Sequence, residues 1–175
     1  TEILRLKSPA DFIGKQGKGV ISFGSGQPDL PPPKEAYEGI DLTRDLRYGL
    51  IQGEAKLREA LAREYPGSTA DNFVITNGAS EALDLIFRSW GSAGGKALLP
   101  RPYYYSYPPL VEFAGMEPVY TDLIDGRIDI EDFKKKIKDC KAVLINSPSN
   151  PTGRVEAIET LKEIEKITQK LGVYV

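Results

Sequence analysis

The sequence predicts an α/β fold, a three-layer sandwich built on a mostly parallel sheet. Two observations carry that reading. Short apolar runs alternate along the chain with amphipathic segments, the pattern of a parallel sheet covered by helices. And 175 residues, 41% hydrophobic and 27% charged, can bury one sizeable core at an ordinary soluble composition.

The elements follow in order. Residues Thr1 to Pro33 carry proline and glycine clusters and no helix-strand repeat of their own, so they read as a segment of another, smaller domain. "GEAKLREALAREY" (Gly53 to Tyr65) has helical periodicity, and "NFVIT" (Asn72 to Thr76) reads as a strand leading into the helix "SEALDLIFRSW". "KALLP" (Lys96 to Pro100) and "EPVYTDL" (Glu117 to Leu123) read as strands on either side of a helix in "PPLVEFAG". The helix "IEDFKKKI" has Asp129 as its predicted N-cap and Asp132 at the N3 position. "KAVLIN" (Lys141 to Asn146), the helix "AIETLKEIEKITQKL" and a final strand "GVYV" complete the series. No internal repeat or low-complexity tract interrupts it.

Composition excludes several functions. A formal charge of −2, from 23 basic and 25 acidic residues, gives no general attraction to nucleic acid or to an anionic membrane. The basic run Phe133 to Lys141 reads as the solvated face of a helix. One cysteine, Cys140, excludes an internal disulfide framework and suits a reducing compartment. With no signal peptide or apolar run of membrane length, the expected location is cytoplasmic. The absence of histidine removes Ser-His-Asp and Cys-His catalysis and leaves little basis for a zinc or copper site. Chemistry must rest on lysine, tyrosine, carboxylates or a cofactor.

In a parallel α/β sheet, ligands lie beyond the carboxyl ends of the strands, so the loops there are the candidates. "ITNGASEAL" (Ile75 to Leu83) passes through Gly78, Ala79 and Ser80 into a helix, whose free amides and Ser80 hydroxyl would suit a phosphate. A serine-capped helix after a glycine turn is the structural alternative. "PRPYYYSYPP" (Pro100 to Pro109) sets four tyrosines in five positions between paired prolines, so that some rings could cover a flat ligand while others enter the core. "NSPSNPTG" (Asn146 to Gly153) uses its prolines and Gly153 to fix the direction of the Asn146 and Asn150 amides. A planar, oxygen-bearing cofactor would require such a rigid amide donor.

With these loops the chain resembles the class I aminotransferases, pyridoxal-phosphate enzymes of fold type I of the aspartate aminotransferase kind. "FGSGQPDLPPP" (Phe23 to Pro33) is similar to their substrate loop and "YGLIQGEAKLREALA" (Tyr48 to Ala62) to the approach to an early helix. "ITNGASEAL", "PRPYYYSYPPLVEFAG" and "INSPSNPTG" complete the family's order, so the resemblance covers nearly the whole chain. It implies pyridoxal 5'-phosphate as cofactor, with Gly78, Ala79 and Ser80 on the phosphate. Tyr104, second after Pro102, would stack on the pyridine ring, and Asn150 would hydrogen-bond the ring's 3-oxygen and face the substrate. Gly26 would meet the substrate carboxylate through its backbone, and Tyr48 would reach the phosphate of a neighbouring subunit, which implies a homodimer.

The resemblance further implies amino-group transfer between an amino acid and a 2-oxo acid, with no nucleic-acid or membrane partner. It divides the chain into residues 1–33, from the small domain, and 34–175, the first part of the cofactor-binding domain. The family's pyridine-nitrogen aspartate, its S-x-[ST]-K lysine and its carboxylate-binding arginine have no match here, so no catalytic residue is assigned and these 175 residues are expected to be inactive alone. Two other readings stand beside this one. The same loops serve carbon-sulfur lysis or decarboxylation, and a non-catalytic phosphate-binding or dimerisation module is the alternative from another class.

Overall fold

The computed structural model describes residues 26, 30–41, 43 and 47–175. The chain divides into two units, Thr1–Gly49 and Leu50–Val175. The boundary drawn from the sequence, between Pro33 and Lys34, falls inside the first unit, most of which lies outside the described residues. A 3-10 turn at Lys34–Ala36 belongs to that unit.

The second unit begins with helix α1 (Ala55–Glu64). Its buried Arg58 donates from Nη1 to the Ala70 carbonyl (2.8 Å) and from Nε to the Gly53 carbonyl (3.3 Å). The guanidinium thereby satisfies two backbone acceptors that burial would otherwise strand. Of the segment expected as a strand, Asn72 to Thr76, the first residue ends a 3-10 turn (Ala70–Asn72), Phe73 is extended, and none of it joins a sheet among the described residues. Within it the Ile75 N–H donates to the Gln52 carbonyl (2.9 Å). The apolar run suits an extended backbone, but a strand needs a neighbour to complete its ladder.

Helix α2 (Gly78–Gly91) leads to strand β1 (Lys96–Arg101), and helix α3 (Tyr107–Phe113) connects β1 to strand β2 (Glu117–Ile124). Strand β3 (Arg127–Ile128) returns against β2, followed by helix α4 (Ile130–Lys136), strand β4 (Ala142–Val143) and helix α5 (Ile158–Leu171). The sheet order is β3-β2-β1-β4, with β1 parallel to both β2 and β4 and β3 antiparallel at the edge. In the register, Lys96 to Arg101 face Glu117 to Asp122, while Ala97 and Leu98 face Ala142 and Val143.

Alternation along the strands makes the three layers. Leu98 and Val143 pack on one face with Phe133 of α4, Ile137 just beyond it and Ile164 of α5. Ala97, Leu99 and Ala142 pack on the other face with Phe87 of α2 and Val111 of α3. A strand covered on both faces is apolar at consecutive positions, and Ala97, Leu98 and Leu99 are all fully buried. The predicted three-layer α/β sandwich is therefore the observed one.

Asp129 caps α4 as expected, accepting from the Glu131 and Asp132 N–H groups at 3.0 and 3.3 Å. Three differences remain. The strand expected over Lys141 to Asn146 narrows to Ala142–Val143, with one more bond from the Leu144 N–H to the Leu98 carbonyl (3.1 Å). The expected final strand is a single parallel bridge, Ala142 to Tyr174, with the Tyr174 ring stacked on Trp90 at 4.8 Å. The β2–β3 hairpin was not anticipated. Asp125 and Gly126, at φ 51° and 79°, form its two-residue turn, and a D-G pair favours that left-handed geometry because glycine has no Cβ and aspartate's short polar side chain can hydrogen-bond locally.

Candidate functional site

Because β1 and β4 are parallel neighbours, the loops that follow them emerge at one sheet edge, and an open hollow lies between them. Tyr103, Tyr107, Asn146, Ser149, Asn150 and Arg154 line it, together with Leu123, Gly126 and Ile128 of the hairpin region. The sequence-predicted tyrosine loop and asparagine loop are thus brought together. At this point the chain turns from building the sheet on one side of β1 to building on the other, and ligands of open α/β sheets occupy such crevices.

The tyrosines divide their roles. Tyr103 stacks on Tyr120 of β2, centroids 5.3 Å apart and planes 23° from parallel, and both pack against the second core cluster. Burial first, and then a hydrogen bond with Tyr103, push the Tyr120 hydroxyl up to about 12. The Arg101 guanidinium lies over the Tyr120 ring, 5.5 Å from its centroid, and pairs with Asp122 at 2.7 Å. Tyr107 also borders the core, where burial raises its hydroxyl pKa. Tyr104 does not line the hollow and is half-buried against Tyr105 (4.5 Å) and Tyr107 (5.5 Å, edge-on). It has no part in either core cluster.

The asparagine loop is held by its own polar groups. Asn146 Oδ1 accepts the Asn150 N–H at 2.8 Å, the Ser149 N–H donates to the Arg154 carbonyl at 2.8 Å, and the Gly153 N–H donates to the Ser149 carbonyl at 2.6 Å. Asn146 therefore fixes the backbone of Asn150, and the side chain of Asn150 is exposed at the hollow it lines. Dense local bonding of this kind replaces the ladder that β4 gives up at Leu144.

Gly78, Ala79 and Ser80 are the first three residues of α2, all exposed. They do not line the hollow. Gly78 takes φ 75°, its N–H donates to the Thr76 carbonyl at 2.9 Å, and the Thr76 hydroxyl donates to its carbonyl at 3.0 Å. The helix N-cap is Asn77, whose side chain caps nothing, so the expected alternative of a serine cap at Ser80 is not what is found. The Glu81 carboxylate instead accepts the Asn77 N–H. As second and third residues of the helix, Ala79 and Ser80 present amides that have no intrahelical carbonyl to meet. Gly26 and Tyr48 belong to the first unit, where both are exposed, Tyr48 fully.

Sequence reasoning missed Arg154 and Glu156, which border the hollow beside Asn150. Only the D-G turn signalled the hairpin against which both residues lie.

A three-layer α/β sandwich whose strand ends bring together an aromatic loop and a rigid asparagine loop defines the class of protein. Residues 18–175 match the family model described as aminotransferase class I and II, and the chain belongs to that family. It is 34% identical over 187 residues to a probable aspartate/prephenate aminotransferase of Aquifex aeolicus, covering 98% of this chain and 47% of the relative. A probable aspartate aminotransferase of Methanocaldococcus jannaschii is 34% identical over 165 residues, covering 89% and 44%. Among solved structures, an alanine aminotransferase from Pyrococcus furiosus is similar with a TM-score of 0.78 and 35% identity, over 94% of this chain and 46% of that one. The chain spans about half the length of the curated relatives it matches.

Proposed function

We propose that the whole protein is a pyridoxal-phosphate-dependent aminotransferase that moves an amino group between an amino acid and a 2-oxo acid. The observation that carries the reading is the pairing, at one sheet edge, of the tyrosine loop after β1 with the bonded asparagine loop after β4, in a chain that belongs to this family.

The residues present fit the cofactor. The exposed Ala79 and Ser80 amides at the start of a 14-residue helix suit a phosphate dianion, to which the helix adds a favourable dipole. Ser80 can add its hydroxyl. Tyr104 can offer a ring to a flat ligand because neither core cluster claims it, whereas Tyr103 is committed to Tyr120. The Asn150 amide would hold the ring's 3-oxygen, with Asn146 keeping its backbone in place. When bound, the cofactor supplies an electron sink for bonds broken at the substrate α-carbon. The protein's part is to anchor the phosphate, keep the ring flat against an aromatic face and set the direction from which the amino acid approaches. Gly26 would meet the substrate carboxylate, and Tyr48 would serve the phosphate of a partner in a homodimer. We infer a cytoplasmic location from the composition.

The test is to load the whole protein with pyridoxal phosphate and offer amino acid and 2-oxo acid pairs. Appearance of the new amino acid and new oxo acid in equal amounts is the expected result. Release of carbon dioxide or of a thiol without amino transfer would replace the reading with decarboxylation or carbon-sulfur lysis. Failure to take up the cofactor would leave a phosphate-binding or dimerisation module.

A further inference from the structure

Glu156 lies six positions after Asn150 and makes three bonds to three different parts of the fold. Its Oε2 accepts the Ile128 N–H of the β2–β3 hairpin at 2.9 Å, 28 residues away in sequence. Its Oε1 accepts the N–H of Ala157, the N-cap residue of α5, at 3.1 Å. Its own N–H donates to the Ser147 hydroxyl at 2.9 Å, closing the loop that contains Asn150 back on its start. A second contact joins the same two regions. A Cβ at Gly126 in the hairpin turn would stand 2.7 Å from Cγ of Arg154, so the loop lies directly on the hairpin there.

We propose that Glu156 is a positioning residue, which clamps the asparagine loop to the β2–β3 hairpin and through that loop sets where the Asn150 amide meets the cofactor. The physical ground is that β3 is only two residues long, at the sheet edge, and its Ile128 N–H has a carboxylate for its acceptor. A charged acceptor makes a stronger bond than a neutral one, and one carboxylate that serves two amides from separate elements fixes their separation. Asn150 sits between the two ends of this closure. Its own bond to Asn146 fixes the backbone locally, while Glu156 fixes the loop against the rest of the sheet. The cofactor consequence rests on the function proposed above, but the clamp does not.

The experiment uses the whole protein with Glu156→Ala, Glu156→Gln, Asn150→Ala and the Asn150→Ala/Glu156→Ala pair. Amide exchange at Ile128 and Asn150 reads the clamp, and pyridoxal-phosphate titration by absorbance reads its consequence. Glu156→Ala should speed Ile128 and Asn150 exchange by about tenfold and weaken cofactor binding by about tenfold. Glu156→Gln keeps one neutral acceptor oxygen and turns an NH2 towards the second amide, so it should restore only part of both. In the Asn150→Ala background, Glu156→Ala should cost no further affinity, because its effect passes through the missing amide. An equal loss of affinity in both backgrounds would make Glu156 merely structural and overturn the proposal. So would unchanged exchange at Ile128, or faster exchange with unchanged affinity. If the wild-type protein takes up no cofactor, the proposed function falls, and the exchange rates at Ile128 and Asn150 alone then uphold or overturn the clamp.

Discussion

At the scale of single residues, the site depends on which groups are already committed to the fold. Ser80 is exposed at the third position of α2, so Ser80→Asp should barely alter folding yet repel an anion at the helix start. Isothermal titration with pyridoxal phosphate is expected to give weaker binding for this variant, and unchanged affinity would remove Ser80 from the phosphate site. The tyrosines offer a paired comparison. Tyr104→Ala is expected to lower cofactor affinity by roughly 1–3 kcal/mol, as for loss of an aromatic contact and its buried area, with a small effect on melting. Tyr103→Ala removes the ring stacked on Tyr120 and should lower melting temperature more than Tyr104→Ala does. Affinity falling chiefly in Tyr103→Ala would transfer the stacking role to that residue.

At the scale of elements, two contacts set how neighbouring elements pack. Gly91 ends α2 where a Cβ would collide with the Ala114 carbonyl oxygen just beyond α3. Gly91→Ala should therefore destabilise the protein by roughly 1–3 kcal/mol, in spite of alanine's better helix propensity, because backbone must move to admit it. Chemical denaturation reads that directly. Asp132 ties α4 to β2. Its carboxylate accepts from Lys136 Nζ at 2.7 Å and from the buried Thr121 hydroxyl at 2.9 Å. The Lys136 bond chiefly, with help from Thr121 and the Asp122 amide and against the effect of burial, holds Asp132 below the usual carboxylate pKa. A depressed folded-state value means the stabilisation is present above the unfolded pKa and lost as pH falls through the folded one. Denaturation of wild type and Asp132→Asn should thus differ most above about pH 4 and converge below it. A constant difference across that range would show that charge has no part in the tie.

At the scale of the whole molecule, the proposed homodimer carries its own prediction. If Tyr48 reaches a partner's phosphate site, then mixing a Tyr48→Phe protein with one disabled at the cofactor-binding lysine should create hybrid dimers in which one site lacks both defects. Activity above that of either parent alone is the expected result. Activity that only dilutes in proportion to mixing would place Tyr48 outside the active site. Tyr48 is exposed within its own unit, as such a role would require.

The layered architecture was legible in the sequence because burial on two faces leaves a direct imprint, and Ala97 to Leu99 is apolar without alternation. The helices were legible for the same reason, and so was the Asp129 cap, whose hydrogen bonds run only two and three residues along the chain. The loop motifs were legible too, since glycine, proline and asparagine each restrict the local backbone in a known way. Strand pairing was not. Whether Asn72 to Thr76 or Leu144 to Asn146 joins a ladder depends on a second segment at the correct height, which no local pattern encodes. The division between Tyr103 and Tyr104 depended on Tyr120, and the role of Glu156 on Ile128. What the sequence by itself determined is every feature set by interactions within a few residues or by average burial. What only the tertiary structure decided is which polar and aromatic groups meet across the chain, because hydrogen bonds and ring stacking act over about 3 to 6 Å and sequence distance says nothing about that separation.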